Sequence, residues 1–180
     1  EYDKIKFLYE YLVNDVAYVE DAADNQNIYS TFVGKETVCA GYSKGYQYLL
    51  EKLGIQCIYV YGVANGESHA WNIVQCNGQM YCVDVTWADP LFTETEEPIY
   101  DDMMYDYLCC SKKTLSATHV EDSNYQYPEC TAEDLDYYRM NQMYYETVDR
   151  TLLKDTLYAA VKAKDSKTIF KFSDEQLYTQ

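Results

Sequence analysis

The chain has 180 residues and a formal net charge of -16 at neutral pH, with 30 Asp and Glu against 14 Lys and Arg. No basic patch exceeds Lys112–Lys113, which excludes nucleic acid as a partner, because phosphates must be met by clustered cations. Hydrophobic residues make up 48% of the chain, enough for a sizeable core, yet no apolar run reaches the ~20 residues a membrane-spanning helix requires.

Ile5, Leu8, Leu12 and Val16 recur at helical spacing and predict an amphipathic helix over residues 2–19. Residues 20–38, rich in Asp and Asn, read as a loop anchored by Tyr29 and Phe32. A second helix is predicted from Cys39, with Tyr42, Tyr46, Leu49, Leu50 and Leu53 on one stripe and Gly54 as a left-handed cap. Gly41 and Gly45 leave that helix a bare face to which another backbone can come close. We expect the sheet that carries His69 to use it.

Residues 55–64 ("IQCIYVYGVA") are β-branched and aromatic and read as a strand. After the turn "NGES", the runs "HAWNIVQC" and "QMYCVDVTW" flank Asn77-Gly78, the preferred pair for a two-residue hairpin turn, and "ADP" closes the second strand. Residues 91–150 are acidic, tyrosine-rich and weakly patterned, with "IYDDMMYDYLCC" readable as an edge strand. A helix over 151–163, a strand over 167–172 and a Ser173/Gln176 capping box follow. The expected division is a catalytic domain over 1–150 and a C-terminal helix–strand extension over 151–180.

The 22 tyrosines are too many for all to be buried. The seven cysteines form no CxxC pair and only two histidines are present, so we expect reduced thiols, no metal site and no cofactor. The sequence opens on Glu1 without an initiator Met. A targeting segment, if the protein works outside the cell or at its surface, would precede it.

The hairpin can be read for register. With Asn77 and Gly78 as the loop, Cys76 faces Gln79, Trp71 faces Asp84 and His69 faces Thr86. Alternation then puts His69, Trp71, Ile73, Met80, Cys82, Asp84 and Thr86 on one face, with His69 and Asp84 as diagonal neighbours. Singly, Cys39 reads more readily as a core thiol and His69 as a structural imidazole. Asp84, an acid within an apolar strand, requires a partner, and His69 is the histidine placed to serve. A cysteine at a helix start has free N–H groups and the macrodipole to stabilise a thiolate. Cys39, His69 and Asp84 thus combine as nucleophile, general acid/base and orienting carboxylate, with the Cys39 N–H as an oxyanion donor.

"TVCAGYSKGYQYLLEKLGI", "SHAWNIV" and "MYCVDVTWADP" resemble the Cys, His and Asp motifs of the transglutaminase-like superfamily, in the same order. The resemblance covers residues 1 to about 120. It implies a papain-like α+β fold, a central Cys-bearing helix packed on an antiparallel sheet. It also implies cleavage, transfer or deamidation of peptide or protein amides through a thioester, with cell-wall peptides among the candidate substrates. In the site, it assigns Cys39, His69 and Asp84 the roles given above. Bacterial members often carry Pro after the Asp, where this chain has Val85, a change that should leave Asp84 undisturbed. No upstream Trp matches the second oxyanion donor of animal cross-linkers. Tyr29, at a position often aromatic in the family, and Gln26 are candidates for that role, with Trp71 a candidate substrate contact. His119 is similar to a recurrent position, for which a structural hydrogen bond is expected. The alternative reading is a catalytically silent fold that binds protein or wall polymer.

Overall fold

The computed structural model describes residues 1–89, 103–165, 167–174 and 176–177. They group into two units, Glu1–Tyr137 and Tyr138–Gln180.

The first unit opens with helix α1, Tyr2–Asp15, which buries Ile5, Leu8, Tyr9 and Leu12. The helix stops four residues short of the predicted end. Val16 turns extended (φ -130°, ψ 132°), and Ala17–Tyr18 (β1) pairs in parallel with Glu36–Thr37 (β2). Residues 30–34 between these strands form a wide helical turn. Its anchors are Ser30 and Thr31, both fully buried, whereas Tyr29 is 59% exposed. Phe32 packs against the core from a half-buried position, so of the two expected anchors only Phe32 serves.

Helix α2, Cys39–Lys52, buries Tyr42, Tyr46 and Leu50, while Leu53 lies outside it and is exposed. The predicted cap is present. Gly54 sits at φ 75° and donates to the Glu51 carbonyl, and Ile55 donates back to Leu50, which is the two-bond closure favoured by a left-handed glycine.

Strands β3 (Cys57–Ala64), β4 (Glu67–Cys76), β5 (Gln79–Val83) and β6 (His119–Glu121) form one antiparallel sheet in the order β5-β4-β3-β6. The register of the β4–β5 hairpin is the predicted one: Cys76 faces Gln79 and Asn72 faces Val83. Asn77 and Gly78 both take positive φ (51° and 83°), as a turn matching the strand twist requires. The strand ends at Val83, however, and Thr86–Ala88 is a short 3-10 turn, so Thr86 leaves the shared face. Beyond β5, the expected edge strand reduces among the described residues to a single bridge, Cys82 to Cys110, interrupted at Cys109 (φ 52°). Residues 99–102 of that segment lie outside the described residues. A short helix α3, Lys112–Leu115, leads into β6.

β4 divides the core. Val74 and Cys76, with Tyr81 and Val83 of β5, join the cluster of α1 and α2, including Ile5, Tyr9, Leu12, Tyr42, Tyr46 and Leu50. Trp71 and Ile73 face a second cluster with Val60, Cys82, Cys110, Leu115 and Cys130. A Cys-bearing helix therefore lies with an antiparallel sheet in an α+β arrangement, as the resemblance implied.

A short helix α4, Tyr137–Met140, spans the boundary between the units. In the second unit, Tyr144–Tyr145 (β7) pairs in parallel with Lys171–Phe172 (β8), the only part of the predicted 167–172 strand that forms. Helix α5, Arg150–Ala163, is capped by Asp149, whose carboxylate accepts from the Thr151 and Leu152 N–H groups. Asp174, not Ser173, accepts from the Gln176 N–H (2.7 Å). Residues 178–180, where the predicted last helix would continue, lie outside the described residues. No helix among the described residues is long and apolar enough to cross a membrane.

Candidate active site

Cys39 is the first helical residue of α2, so its N–H belongs to the donors that the helix itself cannot use. Its thiol is partly exposed, whereas the other six cysteines are buried, all seven being free thiols. Two sets of contacts hold α2 in place. On the sheet side, Ser43 Oγ donates to the Ala70 carbonyl (2.9 Å) and Asn72 Nδ2 donates to the Ser43 carbonyl (3.0 Å). These bonds lie one turn beyond Cys39 on the helix and beside His69 on the strand. They fix the distance between the two elements that carry Cys39 and His69.

On the opposite side lie the glycines, and here the expectation fails. A Cβ at Gly41 would stand 1.8 Å from Thr37 Oγ1 and 3.1 Å from the Asn25 carbonyl, and one at Gly45 would stand 2.7 Å from Thr31 Cγ2. The bare face receives the 25–37 segment, not the sheet. Thr31 Oγ1 also donates to the Gly41 carbonyl (2.9 Å), and Ser30 and Thr37 hydroxyls bond each other at 2.7 Å.

His69 lies near the start of β4, 5% exposed, with its Nε2 2.7 Å from Asp84 Oδ2. Asp84 follows the last residue of β5 and is wholly buried, its N–H donating to the Tyr107 carbonyl (3.0 Å). Its Oδ1 accepts from the Thr86 and Trp87 N–H groups (2.9 and 3.3 Å). Val85 has φ -72°, an angle proline would share. The substitution of the familial Pro therefore leaves the turn, and Asp84 within it, intact.

The Cys39 side chain also acts on the His69 ring, favouring its charged form. With Nε2 committed to Asp84, Nδ1 is the ring nitrogen left for a further partner. Burial pulls His69 towards its neutral form, but the Asp84 charge and hydrogen bond, helped by Cys39, outweigh it and raise the imidazole from 6.5 to about 10. Burial likewise pushes the Asp84 carboxyl up. The His69 charge and the hydrogen bonds of His119 and His69 overcome this and hold it at about 2. Both shifts describe one shared interaction, in which a buried carboxylate and an imidazolium stabilise each other's charged forms.

His119 supplies what the hairpin register could not show. Its Nε2 lies 3.0 Å from the same Asp84 Oδ2, and its ring fills a box formed by Trp71, Trp87 and Tyr107 (centroids 5.0, 4.7 and 5.2 Å away). His69, Asp84 and His119 are also the group among the described residues whose potential metal-ligand atoms lie within 4.8 Å of one another. Both ring nitrogens already meet the carboxylate as hydrogen-bond partners, so the cluster is satisfied without a cation.

Of the remaining candidates, Trp71 is fully buried and stacks on His69 at 6.1 Å, with no hydrogen-bond partner for its indole N–H among the described residues. Tyr29 and Gln26 lie on the exposed segment before α2, the Gln26 carbonyl accepting from Lys44 Nζ (2.8 Å). The geometry thus gathers His69, Asp84 and Trp71, adds His119, and leaves Cys39 at the start of α2.

Residues 1–87 match the family described as Transglutaminase-like superfamily. Kyphoscoliosis peptidase of Mus musculus is 26% identical over 110 residues, covering 52% of this chain and 17% of that protein. A solved candidate cysteine protease from Cytophaga hutchinsonii is 23% identical, with a TM-score of 0.45, over 51% of this chain and 33% of its own. A structure described as a TGase is 21% identical, with a TM-score of 0.45, over 58% of this chain and 30% of its own. The chain therefore spans a third or less of the length of each of these relatives. Residues 1–87, the stretch similar to the transglutaminase-like superfamily, hold Cys39, His69 and Asp84.

Proposed function

We propose that the protein is a cysteine-dependent enzyme that hydrolyses or transfers the acyl group of peptide or protein amides. The observation that carries this reading is the buried His69–Asp84 hydrogen bond, on a ring whose charged form Cys39, at the mouth of α2, also favours. Cys39, as thiolate, attacks the amide carbonyl while its own N–H faces the developing oxyanion. The His69 imidazolium gives its Nδ1 proton to the departing amine, leaving a thioester on Cys39. Water, deprotonated by neutral His69, then releases the acid; an amine in place of water gives a new amide. Asp84 holds the ring and its tautomer throughout.

The test is alkylation of Cys39 by iodoacetamide at neutral pH, read by peptide mass spectrometry so that the other cysteines serve as internal standards. Cys39 is expected to react at least tenfold faster than a free thiol, and His69→Ala to abolish most of that excess. A Cys39 no faster than a free thiol would leave a silent binding fold as the better reading.

A further inference from the structure

We propose that His119 is a positioning residue of this site, holding Asp84 ionised and turned towards His69 through the reaction. The inference deepens the reading of Cys39, His69 and Asp84 as the reacting groups, and rests on it.

Asp84 is wholly buried, and a carboxylate in such a place keeps its charge only if donors meet it. Four do: the Thr86 and Trp87 N–H groups at Oδ1, and His69 and His119 at Oδ2. An ionised carboxylate only accepts, so each imidazole must carry its proton on Nε2. The other nitrogen of His119 is held too, with Nδ1 2.7 Å from Thr118 Oγ1, itself 3.0 Å from the Tyr107 hydroxyl. The ring cannot turn away from Asp84 without breaking that chain.

The two histidines differ in what the reaction asks of them. His69 is an imidazolium before it protonates the leaving amine and neutral afterwards, so the carboxylate loses its closest cation in mid-turnover. The His119 bond does not depend on that proton. It remains when the charge on His69 is gone, and opposes transfer of the His69 Nε2 proton to Asp84. The other titratable groups facing Asp84 are Tyr9 of α1 and Tyr107 and Cys110 of the segment beyond β5. Burial pushes all three upward, so they stay neutral at ordinary pH. The compensation of Asp84 therefore falls on the histidines and the two backbone donors.

A competing role is plain packing, since the His119 ring fills the aromatic box. Two kinds of substitution separate them. His119→Phe keeps an aromatic ring but removes the donor, and His119→Leu removes it at smaller size. His119→Gln gives up the ring but keeps an N–H of similar reach. Iodoacetamide labelling of Cys39 is followed from pH 4 to 9 in these variants, in wild type and in His69→Ala, with near-UV circular dichroism confirming the fold. His119→Phe, and His119→Leu should Phe not fold, is expected to label about tenfold more slowly at pH 6, with the acid limb moved up by about one pH unit as the less firmly held His69–Asp84 pair stabilises the Cys39 thiolate less. His119→Gln is expected to return within about threefold of wild type with the limb restored. Normal labelling and an unmoved acid limb in the donor-less variants would overturn the inference and assign His119 to packing. Labelling that ignores His69→Ala would instead overturn the underlying reading of the site, and this inference with it.

Discussion

The two faces of β4 are built from different chemistry. Towards α2 the strand presents Asn72, Val74 and Cys76 to a cluster rich in buried tyrosines. Three of the hydroxyls there end on backbone carbonyls: Tyr46 on Ile5 (2.9 Å), Tyr9 on Met104 (2.8 Å), and Tyr42 on Val16. On the other face, His69 and Trp71 meet His119, Trp87 and the Asp84 carboxylate. One face spends its polar groups on holding helices, and the other on holding charge. A single strand with a two-residue period can do both, because neighbouring residues never compete for the same surroundings.

Trp71→Ala gives the sharpest way to break the second face. Removing a wholly buried indole should cost about 3–5 kcal/mol of folding free energy, read as a shift in the urea midpoint. A cost below about 1 kcal/mol would mean that the second cluster adds little to folding. Asn72→Ala probes the helix-holding face. It deletes the bond to the Ser43 carbonyl and should cost about 1–3 kcal/mol. It should also slow Cys39 labelling, because the spacing of α2 and β4 is no longer fixed. Lost stability with unchanged labelling would show that this bond holds the fold without setting the site.

The gentlest test is pH. His69 is raised from 6.5 to about 10, so its contribution is fully present below pH 6.5 and is lost as the pH rises towards 10. Asp84 is lowered from 3.8 to about 2, so its contribution is present above pH 3.8 and lost as the pH falls towards 2. Stability should therefore be highest between these ranges. Wild type should also lose stability relative to His69→Gln between pH 6.5 and 9, by at most ~1.4 kcal/mol per pH unit, the slope of one proton. Parallel pH curves for the two proteins would show that the His69–Asp84 pair contributes no net stability.

The hairpin was legible in the sequence because its cause is local. Asn77-Gly78 admits positive φ at both positions, and alternation carries the register outward to residue 83. The α2 cap was legible for the same reason, as Gly54 marks its own conformation. What failed depends on distant partners. Val16 leaves the helical pattern because β1 pairs with residues that follow nineteen positions later. Gly41 and Gly45 announce a close approach but not what approaches. Asp84 looked like part of a strand, yet its carboxylate caps the turn that ends it. His119, 35 positions from Asp84, has no periodic relation to the hairpin, and only the pairing of β6 with β3 brings it there.

That pairing relies on Gly62, where an added Cβ would stand 2.2 Å from the Val120 carbonyl and 2.7 Å from Trp71. Its consequence is also experimental. The chain has only two histidines, and both end on one carboxylate oxygen. Every imidazole resonance in a nuclear magnetic resonance spectrum of this chain thus comes from a ring whose Nε2 lies within 3.0 Å of a single atom. The protein carries its own unlabelled reporter, silent about everything except the place where the chemistry is expected.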